Sequence, residues 1–434
     1  MFAGFRTVKL FAVALFAFTL AVPAFSDTVE VGTCIQNLVH FDTIQDAVDH
    51  AAQGGGTTID VCPGSYPEQV TINKNLTLRG VADPGSNQDA AIIVAPQGGI
   101  VANTTSLSNG TPIAAQILVT SPATQVSIIS LTVDGSGNNL PDCSVDLIGI
   151  YYQNASGSVA TSAVRNQILA PGLTGCQSGL GIFAQSGQNG TSTLTVQQTS
   201  VHNYQKNGIT GNEVGTTLNA IGNVVQGLGS ANNPPGAAQN GIQIAYGAKG
   251  KVTGNTILDQ VYGDISQAIS IGVLLYDAAT SSGIMVNTNN IHDTQGGVGI
   301  YTDDSDPSQY GDGVTVQSNN IFETLDYDAI DVCTDSNSIK SNIIANSAES
   351  GIHLDSSCSG AGHNTGNGNT VNNNVMLESE CAGILEDSGT TNSIGTGGTA
   401  NLFVDIPFTI ASSTCSARPQ GKKPAKGTRF SPVR

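Results

Sequence analysis

Three aspartates and one histidine in the last third of the chain have the side chains that acid–base chemistry needs. They are Asp303, Asp331, His353 and Asp355. Carboxyl and imidazole groups are common proton donors and acceptors in enzymes, and hydrolysis of a glycosidic bond needs two carboxyl groups flanking the bond. We therefore take these four as candidate catalytic residues. Asp331, flanked by the other acids, is the candidate proton donor.

These residues follow a repeated dipeptide, a small residue and then an apolar one. The copies are Gly149-Ile150, Gly181-Ile182, Gly208-Ile209, Gly241-Ile242, Gly272-Val273, Gly299-Ile300, Ala329-Ile330, Gly351-Ile352 and Gly383-Ile384. Successive copies lie 22 to 33 residues apart, and periods of roughly 20–50 residues are typical of repeat architectures. The spacing fits one coil of a β-helix with a loop of variable length.

Strand alternation predicts where the candidate residues point. If the apolar residue of each dipeptide faces inward, the residues one and three positions later face outward. Asp303 and Asp355 would then lie two coils apart, roughly 9.6 Å at ~4.8 Å per coil, near the upper limit of about 9.5 Å for inverting glycosidases. Tyr276 and Tyr301 lie on the same outward track and are candidate residues for stacking on sugar rings.

A second repeat runs in phase with the first and places a polar residue once per coil. Its positions are Asn166, Thr199, Asn223, Asn255, Asn289, Asn319, Asn342 and Asn374. Asparagine tolerates turn conformations and hydrogen-bonds through its side-chain amide. We therefore predict a structural ladder of stacked amides rather than a catalytic feature.

The composition also indicates a repeat protein. The chain has 52 glycines, no tryptophan and only 11% charged residues, and its repeats are short and β-branched rather than helical in period. We predict an all-β fold, a single right-handed parallel β-helix that is continuous from about residue 57 to residue 410.

The start of the mature chain carries a family resemblance. Residues 41–48, FDTIQDAV, and 59–72, IDVCPGSYPEQVTI, are followed by LTLRG at 76–80. This resembles the N-terminal part of right-handed β-helix proteins of the pectin lyase-like superfamily, including pectin methylesterases and NosD-type proteins. The resemblance implies the same architecture over about residues 40–410. Thr43 is the expected N-cap of a short helix that closes the first coil.

The two ends of the chain differ from its body. Residues 1–26 contain a basic start, a short apolar run and small residues, which predicts a signal peptide. The β-helix domain is expected over 27–417, with its N-terminal cap at about 27–56. Residues 418–434 are basic and almost free of apolar residues, so we predict a disordered tail. The expected location is secreted or periplasmic.

Eight cysteines support an oxidising compartment. They are Cys34, Cys62, Cys143, Cys176, Cys333, Cys358, Cys381 and Cys415. Each neighbouring pair spans about one coil, so we predict the disulfides Cys34–Cys62, Cys143–Cys176, Cys333–Cys358 and Cys381–Cys415. The cysteines and histidines lack the spacing of a zinc site, and no metal ligands are assigned.

Charge limits the possible partners. All 33 acidic residues lie between residues 27 and 417, where only seven lysines and arginines accompany them, giving a net charge of about −26. Such a surface repels nucleic acids and anionic membranes. It also repels polyuronates unless cations such as calcium intervene, so calcium is the one cofactor that the sequence leaves open. We expect a monomer.

Two classes of function follow. The first is a secreted protein that binds or cleaves a polysaccharide, as a glycosidase or a lyase. The second is a non-catalytic surface, adhesion or binding β-helix. The outward acidic patch favours the first class. The absence of the motifs of pectin methylesterases and polygalacturonases favours the second, and whether the protein is an enzyme stays open at this point.

Overall fold

The structure is a computed structural model that describes residues 27–82, 90–187, 189–229, 236–303, 306–356, 366–387 and 389–412. The predicted signal peptide and basic tail lie outside these residues.

Each coil of the described chain contributes one strand to each of three parallel sheets. Sheet A contains Thr28–Val31, Val39–Phe41, Thr57–Val61, Leu76–Gly80, Val126–Ile129, Gly157–Ala160, Ser192–Gln197, Thr216–Ile221, Lys249–Thr253, Met285–Asn287, Thr315–Gln317, Ser338–Lys340, Thr370–Asn372 and Ser393–Ile394. Sheet B contains Gly64–Pro67, Ala91–Val94, Thr132–Asp134, Ala163–Gln167, Ser200–Tyr204, Val224–Gln226, Thr256–Leu258, Asn290–Thr294, Asn320–Thr324, Ile343–Ser347, Val375–Leu377 and Leu402–Val404. Sheet C contains Val70–Ile72, Pro112–Thr120, Asp146–Gln153, Leu180–Gln185, Asn207–Asn212, Asn240–Ala245, Ile271–Tyr276, Gly296–Tyr301, Ile330–Val332, Ser350–Leu354, Ala382–Glu386 and Phe408–Ala411. The short strand Thr104–Thr105 pairs antiparallel with Pro112–Thr120. The predicted right-handed parallel β-helix is confirmed.

The apolar residue of the repeated dipeptide forms the core. Ile150, Ile182 and Ile209 are aligned on successive strands of sheet C, and all three are fully buried. The residue before each must be small because neighbouring coils are close. A Cβ atom on Gly181 would lie only 2.6 Å from the carbonyl oxygen of Gly208. The repeated dipeptide is therefore explained by the buried core and by the close packing between neighbouring coils.

The asparagine ladder is confirmed at the turn between sheets A and B. Asn223 donates through Nδ2 to Oδ1 of Asn255, Asn255 to Asn289, and Asn289 to Asn319, each at 2.9 Å. The ladder continues through Asn342 and Asn374 to Asn401. Each Nδ2 also donates to a backbone carbonyl, as Asn289 does to Val252, so the ladder satisfies the polar groups of every turn.

Asn166 is not part of this ladder, and the prediction that included it is wrong. It lies in the strand Ala163–Gln167 of sheet B with a left-handed φ of 59°, and its Nδ2 donates to Asp134. Thr199 does lie in the ladder's turn, because its backbone N–H donates to Oδ1 of Asn223. Asparagine favours both kinds of turn, so residue type alone did not separate them.

A helix at Ile44–His50 covers the first coil, as predicted. The Thr43 hydroxyl accepts from the N–H of Asp46, and the carboxylate of Glu68 accepts from the N–H groups of Ile44 and Gln45. Two short 3-10 helices lie at Pro307–Gln309 and Gly397–Thr399. Within the described ranges, none of these helices has the length and apolar character that crossing a membrane requires.

Two of the predicted disulfides are confirmed, Cys34–Cys62 and Cys143–Cys176. Cys333 and Cys381 are also disulfide-bonded. Their predicted partners, Cys358 and Cys415, lie outside the described residues.

Candidate active site

Three neighbouring strands of sheet C align the residues of the candidate site. Ile330 pairs with Ile352, and Ile352 pairs with Ile384. All three side chains are buried inside the solenoid. The next residue along each strand points to the outer face, which makes Asp331 and His353 cross-strand neighbours. The register that the sequence predicts is correct for these coils.

The preceding coil is shifted by two residues from its predicted register. Val273 pairs with Val298 and not with Ile300. Tyr301 therefore lies at the outward position that was predicted for Asp303. Both Val298 and Ile300 are buried, and a shift of two residues leaves every side chain on its own face. The alternation of apolar residues cannot distinguish the two registers.

The predicted placement of Asp303 is wrong. This residue follows the end of its strand and is exposed. Its backbone N–H donates to Oδ1 of Asp277 at 2.9 Å, and its side chain hydrogen-bonds Tyr276. It is not a member of any group of potential metal-ligating side chains that the described residues bring within 4.8 Å.

The other three candidate residues do come together, with two further aspartates. We call Asp328, Asp331, His353, Asp355 and Asp387 the acidic cluster. Asp331 is 1% exposed and His353 is 3% exposed, whereas the side chain of Asp387 is 18% exposed. The predicted patch thus points away from the solenoid axis but is covered rather than open to solvent, and Asp387 marks its accessible edge.

His353 is held by carboxylates at both ring nitrogens. Nδ1 lies 3.2 Å from Oδ2 of Asp328 and 3.8 Å from Oδ1 of Asp331. Nε2 lies 3.3 Å from Oδ1 of Asp387. Burial by itself lowers the pKa of His353, but the charge of Asp328 and the hydrogen bonds to Asp328 and Asp387 outweigh it and raise the pKa well above its usual value. The ring is therefore protonated at neutral pH, and both nitrogens donate.

At Asp331, burial and the neighbouring charges favour the neutral, protonated carboxyl. Burial raises the pKa of Asp331 well above that of an ordinary carboxyl, and the nearby Asp355 and Asp328 add to this, while the positive charge of His353 opposes it. The hydroxyl of Tyr301 donates to Oδ2 at 3.1 Å, and Oδ1 has no hydrogen-bond partner. A proton on Asp331 removes a buried charge, so the cluster contains a neutral acid beside a charged imidazole.

Asp387 closes the cluster on its exposed side. Burial tends to raise the pKa of Asp387, but the hydrogen bond and charge of His353, a hydrogen bond from Asp355 and the N–H of Ser356 together hold it well below its usual value. The Ser356 N–H donates at 3.1 Å. The edge of the cluster is therefore an ionised carboxylate bound to a protonated ring.

Tyrosines surround the cluster but do not face solvent. Tyr276 is 8% exposed and Tyr301 is 2% exposed, and both pack with Tyr246, Leu274 and Tyr327 on the outer face of sheet C. A Cβ atom on Gly299 would collide with the ring of Tyr301, so glycine makes room for this ring. The predicted stacking of Tyr276 and Tyr301 on sugar rings does not fit rings that are covered in this way.

The side chains of the cluster include possible metal ligands. Its carboxylate oxygens include sets that lie within 4.8 Å of one another and of His353. Calcium takes six to eight oxygen ligands, and calcium binding at these carboxylates stays a prediction. Cys333, which is close to Asp331 and Asp355, is disulfide-bonded and supplies no thiolate.

Sequence reasoning missed two members of the cluster. Asp387 lies on the predicted outward track, three residues after Ile384, but is not among the four candidate catalytic residues. Asp328 lies before the strand Ile330–Val332, where alternation says nothing about direction. Only the fold brings its side chain to His353.

No protein-family model matches this chain, and no curated protein has a similar sequence. Solved structures do show similarity. They include the A-module of the mannuronan C-5 epimerase AlgE4 of Azotobacter vinelandii, at 14% identity and a TM-score of 0.44, covering 86% of this chain and 95% of that chain. The periplasmic alginate epimerase AlgG is similar at 10% identity and a TM-score of 0.47, covering 86% and 83%.

The GH136 lacto-N-biosidase from Eubacterium ramulus has a TM-score of 0.56 at 11% identity, covering 89% of this chain and 68% of that chain. At this identity the similarity shows the fold alone. Together with the three parallel sheets, it identifies this chain as a right-handed parallel β-helix protein.

Proposed function

We propose that this chain is a secreted enzyme that processes a polysaccharide by acid–base chemistry at the acidic cluster. The observation that carries the proposal is the pairing of His353 with carboxylates at both ring nitrogens, beside a carboxyl group that keeps its proton. General acid–base catalysis needs a proton donor and a proton acceptor that each come within hydrogen-bond reach of the reacting atoms of the substrate. Perturbed titratable groups gathered in this way mark candidate functional sites.

The exposure of Asp387 indicates which residues of the cluster can reach a substrate and which can only position them. Asp387 is the partly exposed member, and His353 donates to it through Nε2. A substrate at this edge meets the imidazolium as the proton donor and Asp387 as the acceptor. Asp328 and Asp331, on the Nδ1 side, act as positioning residues that fix the ring and its charge. Asp331, the donor expected from sequence, is thus proposed to act through His353.

Carboxyl spacing narrows the reaction class. One carboxyl oxygen of Asp331 and one of Asp355 lie within 4.8 Å of each other, which is closer than the ~6.5–9.5 Å between the two carboxyl groups of an inverting pair. The inverting arrangement expected from Asp303 and Asp355 has no support here.

The substrate class rests on two further points. The GH136 structure with the same fold is named as a lacto-N-biosidase, which acts on a glycan. Confirmed disulfides fit an oxidising compartment outside the cytoplasm, where polysaccharides are available. These points support a polysaccharide substrate and secretion.

One observation favours a second function, a non-catalytic glycan-binding β-helix. Asp331, His353 and Asp355 are each no more than 6% exposed. In that case the cluster would be an internal polar network that joins three coils.

A substrate panel separates the two functions. The mature chain is incubated with neutral, carboxylated and sulfated polysaccharides, in calcium and in EDTA, and reducing ends and unsaturated products are measured. On any active substrate, His353→Gln and Asp387→Asn should lower kcat by about 100-fold or more, in the range of general acid–base contributions. Asp49→Asn, an exposed carboxylate on the N-terminal helix, is the matched control and should retain activity.

Asp303→Asn should also retain activity, because Asp303 lies outside the cluster. Full activity of His353→Gln, with the control variant unchanged, would overturn the site. Inactivity of the wild-type chain on the whole panel would favour the binding function, and activity lost in EDTA would reopen the calcium question.

A further inference from the structure

The outer face of sheet A differs from the rest of the molecule in charge. None of its ten strands from Val126–Ile129 to Ser393–Ile394 contains an aspartate or a glutamate. The body of the chain nevertheless has 33 acids against seven lysines and arginines. A face this large without an acid is unexpected on so acidic a protein.

The lysines of this face are the free cations of the described chain. Arg79 and Arg165 pair with aspartates. Lys74 is buried against backbone carbonyls, as is Lys206. The described residues contain three more cations, all exposed and without a carboxylate within 4.0 Å, and all lie on sheet A: Lys249, Lys251 and Lys340.

Hydroxyl and amide side chains make up most of the rest of the face, which has two rows. The register gives one row as Ser158, Thr195, Asn219, Lys251, Met285, Thr315, Ser338 and Thr370. The second row is Ala160, Gln197, Ile221, Thr253, Asn287, Gln317, Lys340 and Asn372. Successive members lie about 4.8 Å apart, so Lys251 and Lys340, separated by three coils and by two residues along the strand, are roughly 16 Å apart.

A groove runs along one edge of this face. It has a volume of about 470 Å³ and is lined by Thr193, Thr217 and Lys249 of sheet A, with Ser282 and Ser308 from the adjoining turns. Thr193, Thr217 and Lys249 are direct neighbours on successive strands. The groove therefore crosses successive coils, along the direction in which a linear polymer bound to this face would lie.

We propose that the outer face of sheet A binds an acidic polysaccharide. Its hydroxyl and amide groups can exchange hydrogen bonds with sugar hydroxyls, and its lysines can pair with carboxylate or sulfate groups. The acidic body as a whole repels anionic polymers, but these ten strands carry three lysines and no acid, so the local charge of this face is positive. Nucleic acid is disfavoured, because the ten strands carry no aromatic ring on which bases could stack. This surface uses different residues and a different sheet from the acidic cluster, so it stands independently of the proposed catalysis.

The test measures binding of labelled polymers to the full mature chain in EDTA, which prevents bridging by divalent cations. The probes are polygalacturonate, dextran sulfate, neutral dextran and a single-stranded DNA oligonucleotide. The variant Lys249→Gln/Lys251→Gln/Lys340→Gln removes three charges with little change of shape, and the same three positions changed to arginine keep the charge. A third variant replaces the six basic residues of 418–434 with glutamine.

Binding of polygalacturonate or dextran sulfate should be about tenfold weaker in the triple glutamine variant, because each exposed charge contact contributes a small factor. The triple arginine variant and the tail variant should stay within about twofold of wild type, and neutral dextran should bind less well than the acidic polymers. The two acidic polymers distinguish carboxylate from sulfate recognition.

Three results would overturn the proposal. The first is that the wild-type chain shows no preference for acidic over neutral polymer. The second is that the tail variant loses binding while the triple glutamine variant does not. The third is that DNA binds as tightly as the acidic polysaccharides. Circular dichroism of each variant establishes that its fold is intact. Because catalysis is not the readout, a negative panel at the acidic cluster leaves this test unaffected.

Discussion

Replacing Asp331 with asparagine should stabilise the protein, and the gain should grow as the pH rises. Burial raises the pKa of Asp331 well above its ordinary value, so the folded state keeps this carboxyl protonated. In the unfolded chain it ionises with a pKa of about 3.9. A group with a raised folded pKa contributes stability below its unfolded pKa and loses that stability as the pH rises through the folded pKa. Asparagine has the same shape and does not titrate.

The size of the effect follows from this difference. Above about pH 4 the wild type loses roughly 1.4 kcal/mol of unfolding free energy per pH unit for as long as the folded carboxyl stays protonated. The new amide replaces Oδ1, which has no hydrogen-bond partner and lies 3.8 Å from Nδ1 of His353. An unsatisfied amide N–H there costs about 1–3 kcal/mol. The variant is therefore less stable than wild type near pH 4, and its gain offsets this cost within about two pH units above that.

Urea unfolding measured by far-ultraviolet circular dichroism at pH 5, 6 and 7, with the disulfides oxidised, gives the test. The difference in unfolding free energy between Asp331→Asn and wild type should increase by about 1.4 kcal/mol per pH unit. Asp49→Asn, which replaces an exposed carboxylate on the N-terminal helix, is measured in parallel as the control. A constant difference for Asp331→Asn would show that the folded carboxyl is ionised and would refute the protonation state assigned to the cluster.

Three further predictions concern the scaffold. Asn289→Ala should lower the unfolding free energy by about 2–4 kcal/mol in urea titrations, because it leaves several buried ladder partners without hydrogen bonds. The control is Asn287→Ala on the outer face, which should lower the unfolding free energy by less than about 0.5 kcal/mol. Cys34→Ser/Cys62→Ser should lower it by about 3–4 kcal/mol, the value for a loop of 28 residues; no change would show that the bridge does not form. Thr43→Ala should cost about 1 kcal/mol through loss of the helix N-cap, and Thr43→Ser should restore most of it.

The architecture was predictable because the same local requirement recurs in every coil. Asn289 must donate to one neighbour and accept from another, and Gly181 must be small because the next coil is close. A requirement repeated at each turn appears in the sequence as a period. Asn166 shows the limit of this reasoning, because a second turn of the coil also accepts asparagine.

The site was only partly predictable, for two physical reasons. A shift of two residues preserves the inward and outward faces, so Val298 and Ile300 were equally good partners for Val273. The alternation pattern also describes strands and not the segments that cover them. Tyr327 and Ile269 lie outside the strands yet pack over the outer face of sheet C, which turned an expected surface patch into a buried one.

Asp387 and Asp328 differ in exposure, so replacing each of them should affect catalysis in a different way. Asp387 is 18% exposed on one side of His353, and Asp328 is fully buried on the other. If a substrate exchanges its proton at the edge, Asp387→Asn should lower kcat at every pH. Asp328→Asn should instead lower the pKa of His353, because it removes the charge that raises that pKa most, and the alkaline limb of the kcat/KM profile should move to lower pH. Equal profiles for the two variants would contradict the assignment of Asp328 as a positioning residue.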